Sequence, residues 1–209
     1  MQEVDVGAIV PSTRDLLQVI GTRRKSLALL GVIEGARPAE EAARLSDLNV
    51  SAFASVEPGV AMSLAARATR TVPTLCLGAA GDRAAFLAAR QHGADGVCID
   101  ALLPLADWDR HAKTARAMRM LPVALAHDAA GVDAAVKAGA RALLIRAASA
   151  AAVAELAAGA PRSMTVVGLV EDADADAIRA LLGKVDAAVV PAAVHASPSF
   201  AELVAEVDP

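Results

Sequence analysis

The sequence predicts a single (β/α)8 barrel with one short helix ahead of its first strand. Eight apolar segments recur at regular spacing, each followed by a helical stretch. Residues 72–100, VPTLCLGAAGDRAAFLAARQHGADGVCID, form one complete strand–helix–strand unit. A weak internal repeat points the same way. Gly93-Ala-Asp-Gly-Val, Gly139-Ala-Arg-Ala-Leu and Lys184-Val-Asp-Ala-Ala each join a helix end to an apolar strand, as repeated βα units should.

The 72–100 unit shows the logic. Its second strand, 96–99, carries no charge until Asp100, so both of its faces must be covered. Two parallel strands need a crossover, and 82–92 supplies it as a helix. Asp82 can accept hydrogen bonds from the orphan amides of the first turn, and Gly93 can take the left-handed conformation that ends the helix. Phe86 and Leu87 fall on the face turned to the sheet.

The remaining elements follow in order. Residues 4–10 read as extended or irregular, and Ser12 or Thr13 can cap a helix at 13–22 with Leu16, Leu17 and Ile20 as its apolar stripe. The first strand is 27–33, and Pro38 opens a helix to Ser46, where its missing amide costs nothing. The second strand is 50–56, followed by Pro58-Gly59 and a helix to Arg70. Beyond the central unit, helix 105–118 holds Trp108 on its outer side, and the fifth strand is 122–126. Asp128 caps the next helix and Gly139 ends it before the sixth strand, 142–145. Then come the alanine-rich helix 149–158, strand 165–170, helix 173–182, strand 187–190 and a last helix, 198–207. A doubly wound open sheet is the competing topology, but it usually carries a Gly-rich turn after its first strand, and Glu34-Gly35-Ala36-Arg37 is not one.

Composition narrows the function classes. A chain of 209 residues suits one domain, here an N-terminal extension and helix (1–25) and a barrel (26–209). Net charge is −4 and no basic run exceeds Arg23-Arg24-Lys25, which excludes a nucleic-acid footprint. The longest charge-free apolar run, 187–194, is broken by Pro191 and too short to cross a bilayer. The start, MQEVDVGAIV, has no basic end or cleavage-type apolar region, so a cytoplasmic location is expected. Cys76 and Cys98 read as small core residues on neighbouring strands.

The register of 72–100, the stretch Asn49–Pro58 (NVSAFASVEP), and Leu125–Asp128 followed by Lys137-Ala-Gly-Ala together resemble indole-3-glycerol phosphate synthase. That enzyme is one of the ribulose-phosphate-binding barrels of tryptophan biosynthesis. The resemblance runs from about Leu16 to Ser197 and includes the short helix before the first strand. It implies a carbon–carbon lyase fold, yet the motifs depart from the family. The Glu-x-Lys-x-x-Ser-Pro type motif at the first strand reads Gly31-Val-Ile-Glu-Gly-Ala-Arg-Pro38, without the lysine. The second lysine motif reads Cys76-Leu77-Gly78-Ala79. The glutamate of the fifth strand falls on Leu125, although His127 is kept, and the asparagine of the sixth falls on Arg146. The Glu-Ser-Gly and Gly-Glu/Thr segments become Gly168-Leu169-Val170 and Pro191-Ala192.

Chemistry read from the residues agrees. Sites in this fold lie at the C-terminal strand ends. The four lysines, Lys25, Lys113, Lys137 and Lys184, precede strands or sit on helices, which excludes Schiff-base chemistry at those ends. After the seventh strand, Glu171-Asp172-Ala173-Asp174 places three carboxylates where such barrels hold phosphate. Two like charges ~4 Å apart repel by about 4 kcal/mol at an effective dielectric near 20. The small-molecule ligand, if any, is therefore expected to be unphosphorylated. The same carboxylates also suit a helix N-terminus.

What remains at the strand ends is Glu34, Glu57, Asp100, His127, Asp128 and Arg146. His127 with Asp100 or Glu57 is the catalytic candidate, and Arg146 the ligand-binding one, expected to pair with Asp100 or Glu57. No His-x-x-x-His or Cys-x-x-Cys spacing occurs, so no metal and no cofactor is expected. His92, His111 and His195 carry no constellation in the sequence.

The function expected from this is a non-catalytic barrel serving as a protein-interaction, regulatory or scaffold module. Self-association or a protein partner would use the charge-poor helices around Ala61–Ala68 and Ser149–Gly159. The alternative is a divergent lyase acting on an altered small ligand through His127 and a nearby carboxylate.

Overall fold

The computed structural model describes residues 12–22 and 24–207, so the extended segment expected at 4–10 lies outside the described residues. Eight parallel strands close into a barrel in sequence order. They are β1 (Ala28–Val32), β2 (Ala52–Ser55), β3 (Thr74–Ala79), β4 (Gly96–Asp100), β5 (Leu121–Ala126), β6 (Ala142–Ala147), β7 (Thr165–Val170) and β8 (Ala187–Val190). Closure is made by Ala28 through Gly31 pairing with Ala187 through Val190. Helix α1 (Leu16–Ile20) precedes β1. The crossovers are α2 (Pro38–Asp47), α3 (Val60–Ala68), α4 (Arg83–Gln91), α5 (Leu105–Ala117), α6 (Ala129–Lys137), α7 (Ala150–Ala157) and α8 (Ala175–Ala180). Two helices follow β8: α9 (Ala192–His195) and α10 (Phe200–Val207).

Strand alternation sorts the core in two. Ala28, Leu30 and Val32 of β1 join Ala52, Ala54, Leu75, Cys98, Val123, Leu144, Val167 and Val189 inside the barrel. Leu29, Phe53, Cys76, Val97 and Leu143 point the other way and meet the helices. Leu16 and Ile20 of α1 join the inner set and close its N-terminal end. Burying two such side chains contributes roughly 1.5–3 kcal/mol each. Alanine on β1, β2, β6 and β8 leaves room for the leucines of β3, β5, β6 and β7.

Side-chain caps start α4, α6, α7 and α8, those of α4 and α6 at the aspartates the sequence marks. Asp82, Asp128, Ser149 and Asp174 each accept the amide three residues on, at 2.8–3.2 Å. Gly93 and Gly139 end their helices at φ +103° and +64°. The start of α1 differs. Asp15, not Ser12 or Thr13, is its cap, and the helix is only Leu16–Ile20. The Ser12 hydroxyl donates to Asp95 instead. The Arg14 guanidinium binds Asp95 at 2.8 Å and the carbonyls of Val72 and Gly93 at 3.0 and 2.9 Å. These tertiary bonds outweigh local capping and hold 12–14 out of the helix.

Two further expectations change, at Trp108 and at the last helix. Trp108 is 2 % exposed and packs in the core between sheet and helices, rather than on the outside of α5. His111 is buried in the middle of the same helix, stacked on Phe86 with ring centroids 5.5 Å apart. Residues 192–195 form α9, and the last helix starts at Phe200 rather than 198. Cys76 and Cys98 are free, buried and on opposite faces of the sheet. Burial raises both thiols, Cys76 to about 11 and Cys98 further, so neither is a ready nucleophile. Among the described residues no helix is long and apolar enough to cross a membrane.

Candidate functional site at the barrel mouth

The inner face sets the geometry of the C-terminal mouth. Val32, Leu77, Leu125, Leu144, Leu169 and Val189 form an apolar floor. The next inward position on each strand lies two residues further on. Those eight positions are Glu34, Val56, Ala79, Asp100, His127, Arg146, Glu171 and Pro191. Six of them, all but Asp100 and Glu171, line a cavity of about 410 Å³ above the floor. The mouth is therefore an apolar bowl with Glu34, His127 and Arg146 on its rim. A volume of this size is within the range of small-ligand pockets.

The polar rim is lightly engaged. His127 is exposed and has no hydrogen-bond partner among the described residues. Arg146 Nε donates to Glu171 Oε1 at 3.0 Å, with both side chains about half exposed. The expected pairing of Arg146 with Asp100 or Glu57 does not form. Asp100 turns back to accept the Leu102 amide at 2.9 Å. Glu57 has the opposite strand parity and lies on a neighbouring cavity beside Cys76 and Ala85. The carboxylate that shares the mouth with His127 is Glu34. Sequence reasoning placed Glu34 at a strand end without choosing it; counting inward positions from Val32 selects it.

Backbone irregularity shapes the same rim. The β3–β4 register slips between Cys76 and Ala79, a bulge of the kind found beside active sites. A Cβ on Gly78 would lie 2.7 Å from the Val56 carbonyl oxygen, so only glycine lets the bulge approach β2. In the loop after β7, Asp172 adopts φ +52° and Asp174 caps α8. The acidic segment is thus divided between an ion pair (Glu171), a turn and a cap.

A second polar cluster adjoins the mouth behind Glu34. His195 of α9 is fully buried, its Nε2 2.8 Å from the Val32 carbonyl and its Nδ1 3.0 Å from Arg44 Nη2. A guanidinium only donates, so Nδ1 accepts and Nε2 carries the proton: the ring is held as the neutral Nε2–H tautomer. Burial pushes the His195 pKa down, with Arg44 adding to it. Glu41 Oε1 lies 3.6 Å from the ring, and burial pushes its own pKa up. His195 was not among the sequence candidates. Its partners lie up to 163 residues away, so no local motif could reveal it.

No lysine lines the mouth; Lys113 is paired with Asp109 at 2.6 Å on α5, and Lys137 sits in the last turn of α6. Among the described residues no three His, Cys, Asp or Glu side chains converge to hold a metal ion.

Fold and mouth together define a single (β/α)8 barrel with an open cavity at its C-terminal end. No protein-family model and no curated protein matches the sequence. Solved structures do match. Thiamine phosphate pyrophosphorylase from Pyrococcus furiosus superposes with a TM-score of 0.64 at 16 % identity, over 89 % of this chain and 99 % of that one. N-acetylmannosamine-6-phosphate 2-epimerase from Clostridium perfringens gives 0.68 at 13 %, over 88 % and 92 %. QR15, an aldolase, gives 0.67 at 10 %, over 90 % and 99 %. At these identities the likeness is one of fold alone. The resemblance to indole-3-glycerol phosphate synthase accordingly narrows to the barrel type.

Proposed function

We propose that this chain is a divergent barrel of the lyase type, binding a small, unphosphorylated molecule in its C-terminal mouth. The observation that supports this best is the open 410 Å³ bowl with three ionisable groups on an apolar floor. A compact apolar body bearing one carboxylate fits that lining. Arg146 would receive the carboxylate in exchange for Glu171, a guanidinium being a bidentate partner for such a group. His127 and Glu34 would then move a proton to or from the bound molecule. Without a lysine at the mouth, carbanion stabilisation through a Schiff base is not part of this proposal. Glu171 and Asp172 oppose a phosphate dianion on the β7 side, and Pro191 lacks an amide to offer it. Turnover of the phosphorylated substrate of indole-3-glycerol phosphate synthase is therefore not expected, and a fluorescence assay for the indole product checks this. A cytoplasmic location is part of the same reading.

The direct test is titration with benzoate, a minimal apolar carboxylate, followed by NMR of the His127 ring. Saturable shifts in the wild type, lost in Arg146→Gln, support the proposal. Binding that ignores Arg146, or no saturable binding, overturns it.

A second reading, a non-catalytic interaction module, draws support from α3. Val60 and Leu64, one turn apart on it, are 71 % and 39 % exposed. Helix α7, the other charge-poor helix, shows no comparable exposed large side chain. Sedimentation of the wild type against Val60→Glu separates a self-association role from the ligand reading.

A further inference from the structure

We propose that the opposite, N-terminal end of the barrel holds a second binding site, for a small multivalent oxyanion such as a pyrophosphate group. A cavity of about 430 Å³ opens there between the segment leading into α1, the end of α5 and the start of β5. Arg116, Arg119 and Arg141 line it, each exposed. None of the three guanidiniums has an ion-pair or hydrogen-bond partner among the described residues. The carboxylates in the same lining are already engaged. Asp95 is held by Arg14, Arg90, the Ser12 hydroxyl and the Thr74 amide. Asp15 caps α1 through the Gln18 amide. Three positive groups without a partner among the described residues focus their field on whatever enters the concavity, and planar guanidiniums match phosphate oxygens in pairs.

The backbone at Arg119 gives an independent argument. This residue follows α5 at φ +56°, in the left-handed region. At the sister joints after α4, α6 and α8 the chain places Gly93, Gly139 and Gly183, and after α2 Asn49, a residue that tolerates this conformation. An arginine is the costly choice for such a joint. A side chain kept in a strained position is a pointer to function. At Arg119 that strain coincides with the cavity wall.

The experiment is calorimetric titration of the full chain with inorganic pyrophosphate at low salt. Saturable binding is expected, weakened at least about fivefold by Arg116→Gln or Arg141→Gln and abolished by the triple glutamine variant, since each removes a charge-assisted contact. Arg146→Gln, at the other end of the barrel, should leave it unchanged. Arg119→Gly adds a readout that a purely structural role would not move. It should raise Tm by about 2–4 °C, through relief of the left-handed strain, while weakening pyrophosphate. Absence of saturable binding overturns the proposal. So does binding that survives the triple variant, or that Arg119→Gly leaves intact.

Discussion

Asp95 and Asp186 perform the same task on opposite sides of the barrel. Asp95 Oδ2 accepts the amide of Thr74 at 2.8 Å, and Asp186 Oδ2 accepts the amide of Val166 at 2.9 Å. Their own amides return the bond, to the Thr74 carbonyl at 2.7 Å and the Val166 carbonyl at 2.9 Å. Each aspartate thus clamps the start of the strand before its own. This explains the repeat Gly93-Ala-Asp and Lys184-Val-Asp, in which the third residue is the clamp; in Gly139-Ala-Arg the same place holds Arg141 and faces a cavity instead.

The two clamps should not be equal in energy. Asp95 is fully buried with Arg14 and Arg90 on it, so Asp95→Ala strands two guanidiniums. Breaking a buried pair in this way costs about 3–5 kcal/mol. Among the described residues the Asp186 carboxylate holds the amides of Val166 and Arg24 and no guanidinium, so Asp186→Ala should cost about 1–3 kcal/mol. Urea unfolding of the two variants checks the order. Equal losses would show that the arginines add nothing.

Trp108 offers a different balance. Its indole Nε1 is buried without a partner among the described residues, a deficit of about 1–3 kcal/mol that Phe would remove. Phe also leaves a small cavity, whose cost is of similar size. Trp108→Phe should therefore be neutral to within about 1 kcal/mol, whereas Trp108→Ala should lose about 3–5 kcal/mol. Thermal unfolding followed by circular dichroism measures both.

What the sequence could carry was local. Charge-free strands, the caps at Asp82, Asp128 and Ser149, and the glycines at 93 and 139 are signals within a few residues of their effect. The exceptions are long-range. Ser12 was free to cap a helix until Asp95, 83 residues on, took its hydroxyl. His195 meets Arg44 across 151 residues. Arg146 with Glu171 is an intermediate case. In the parallel register Arg146 pairs with Leu169, so the residue two beyond that partner, Glu171, was within reach of sequence counting. Asp100 does not line the mouth cavity, its carboxylate being held by its own turn at Leu102, a local bond that strand-end counting does not reveal.

The Arg146–Glu171 pair is half exposed, and such pairs contribute about 0–1 kcal/mol. Glu171→Gln should therefore leave stability within about 1 kcal/mol of wild type. It should also free Arg146 for the mouth. If the mouth receives a carboxylate there, benzoate binds Glu171→Gln more tightly than the wild type. Weaker binding in this variant would place the carboxylate elsewhere.

The His195 cluster makes stability depend on pH. The ring is buried neutral between the Val32 carbonyl and Arg44, with Glu41 and Glu34 the carboxylates facing it, and its pKa is depressed chiefly by burial. Below the ordinary histidine value of about 6.5, the unfolded chain binds a proton that the folded chain resists. Stability contributed by this site is therefore complete above that pH and is lost as pH falls toward the lowered folded value, by at most about 1.4 kcal/mol per pH unit. Glu41 acts in the opposite sense. Its raised pKa means the folded chain holds a proton more tightly than the unfolded one, so its contribution is present in acid and lost as pH rises above about 4.5. Wherever both groups titrate, the two slopes oppose each other. His195→Gln, which can still donate to Val32 and accept from Arg44, removes only the histidine slope. Urea midpoints at pH 7.5 and 5.5 should fall with acid in the wild type more than in His195→Gln. A wild type and variant that fall in parallel would mean that His195 does not titrate in this range.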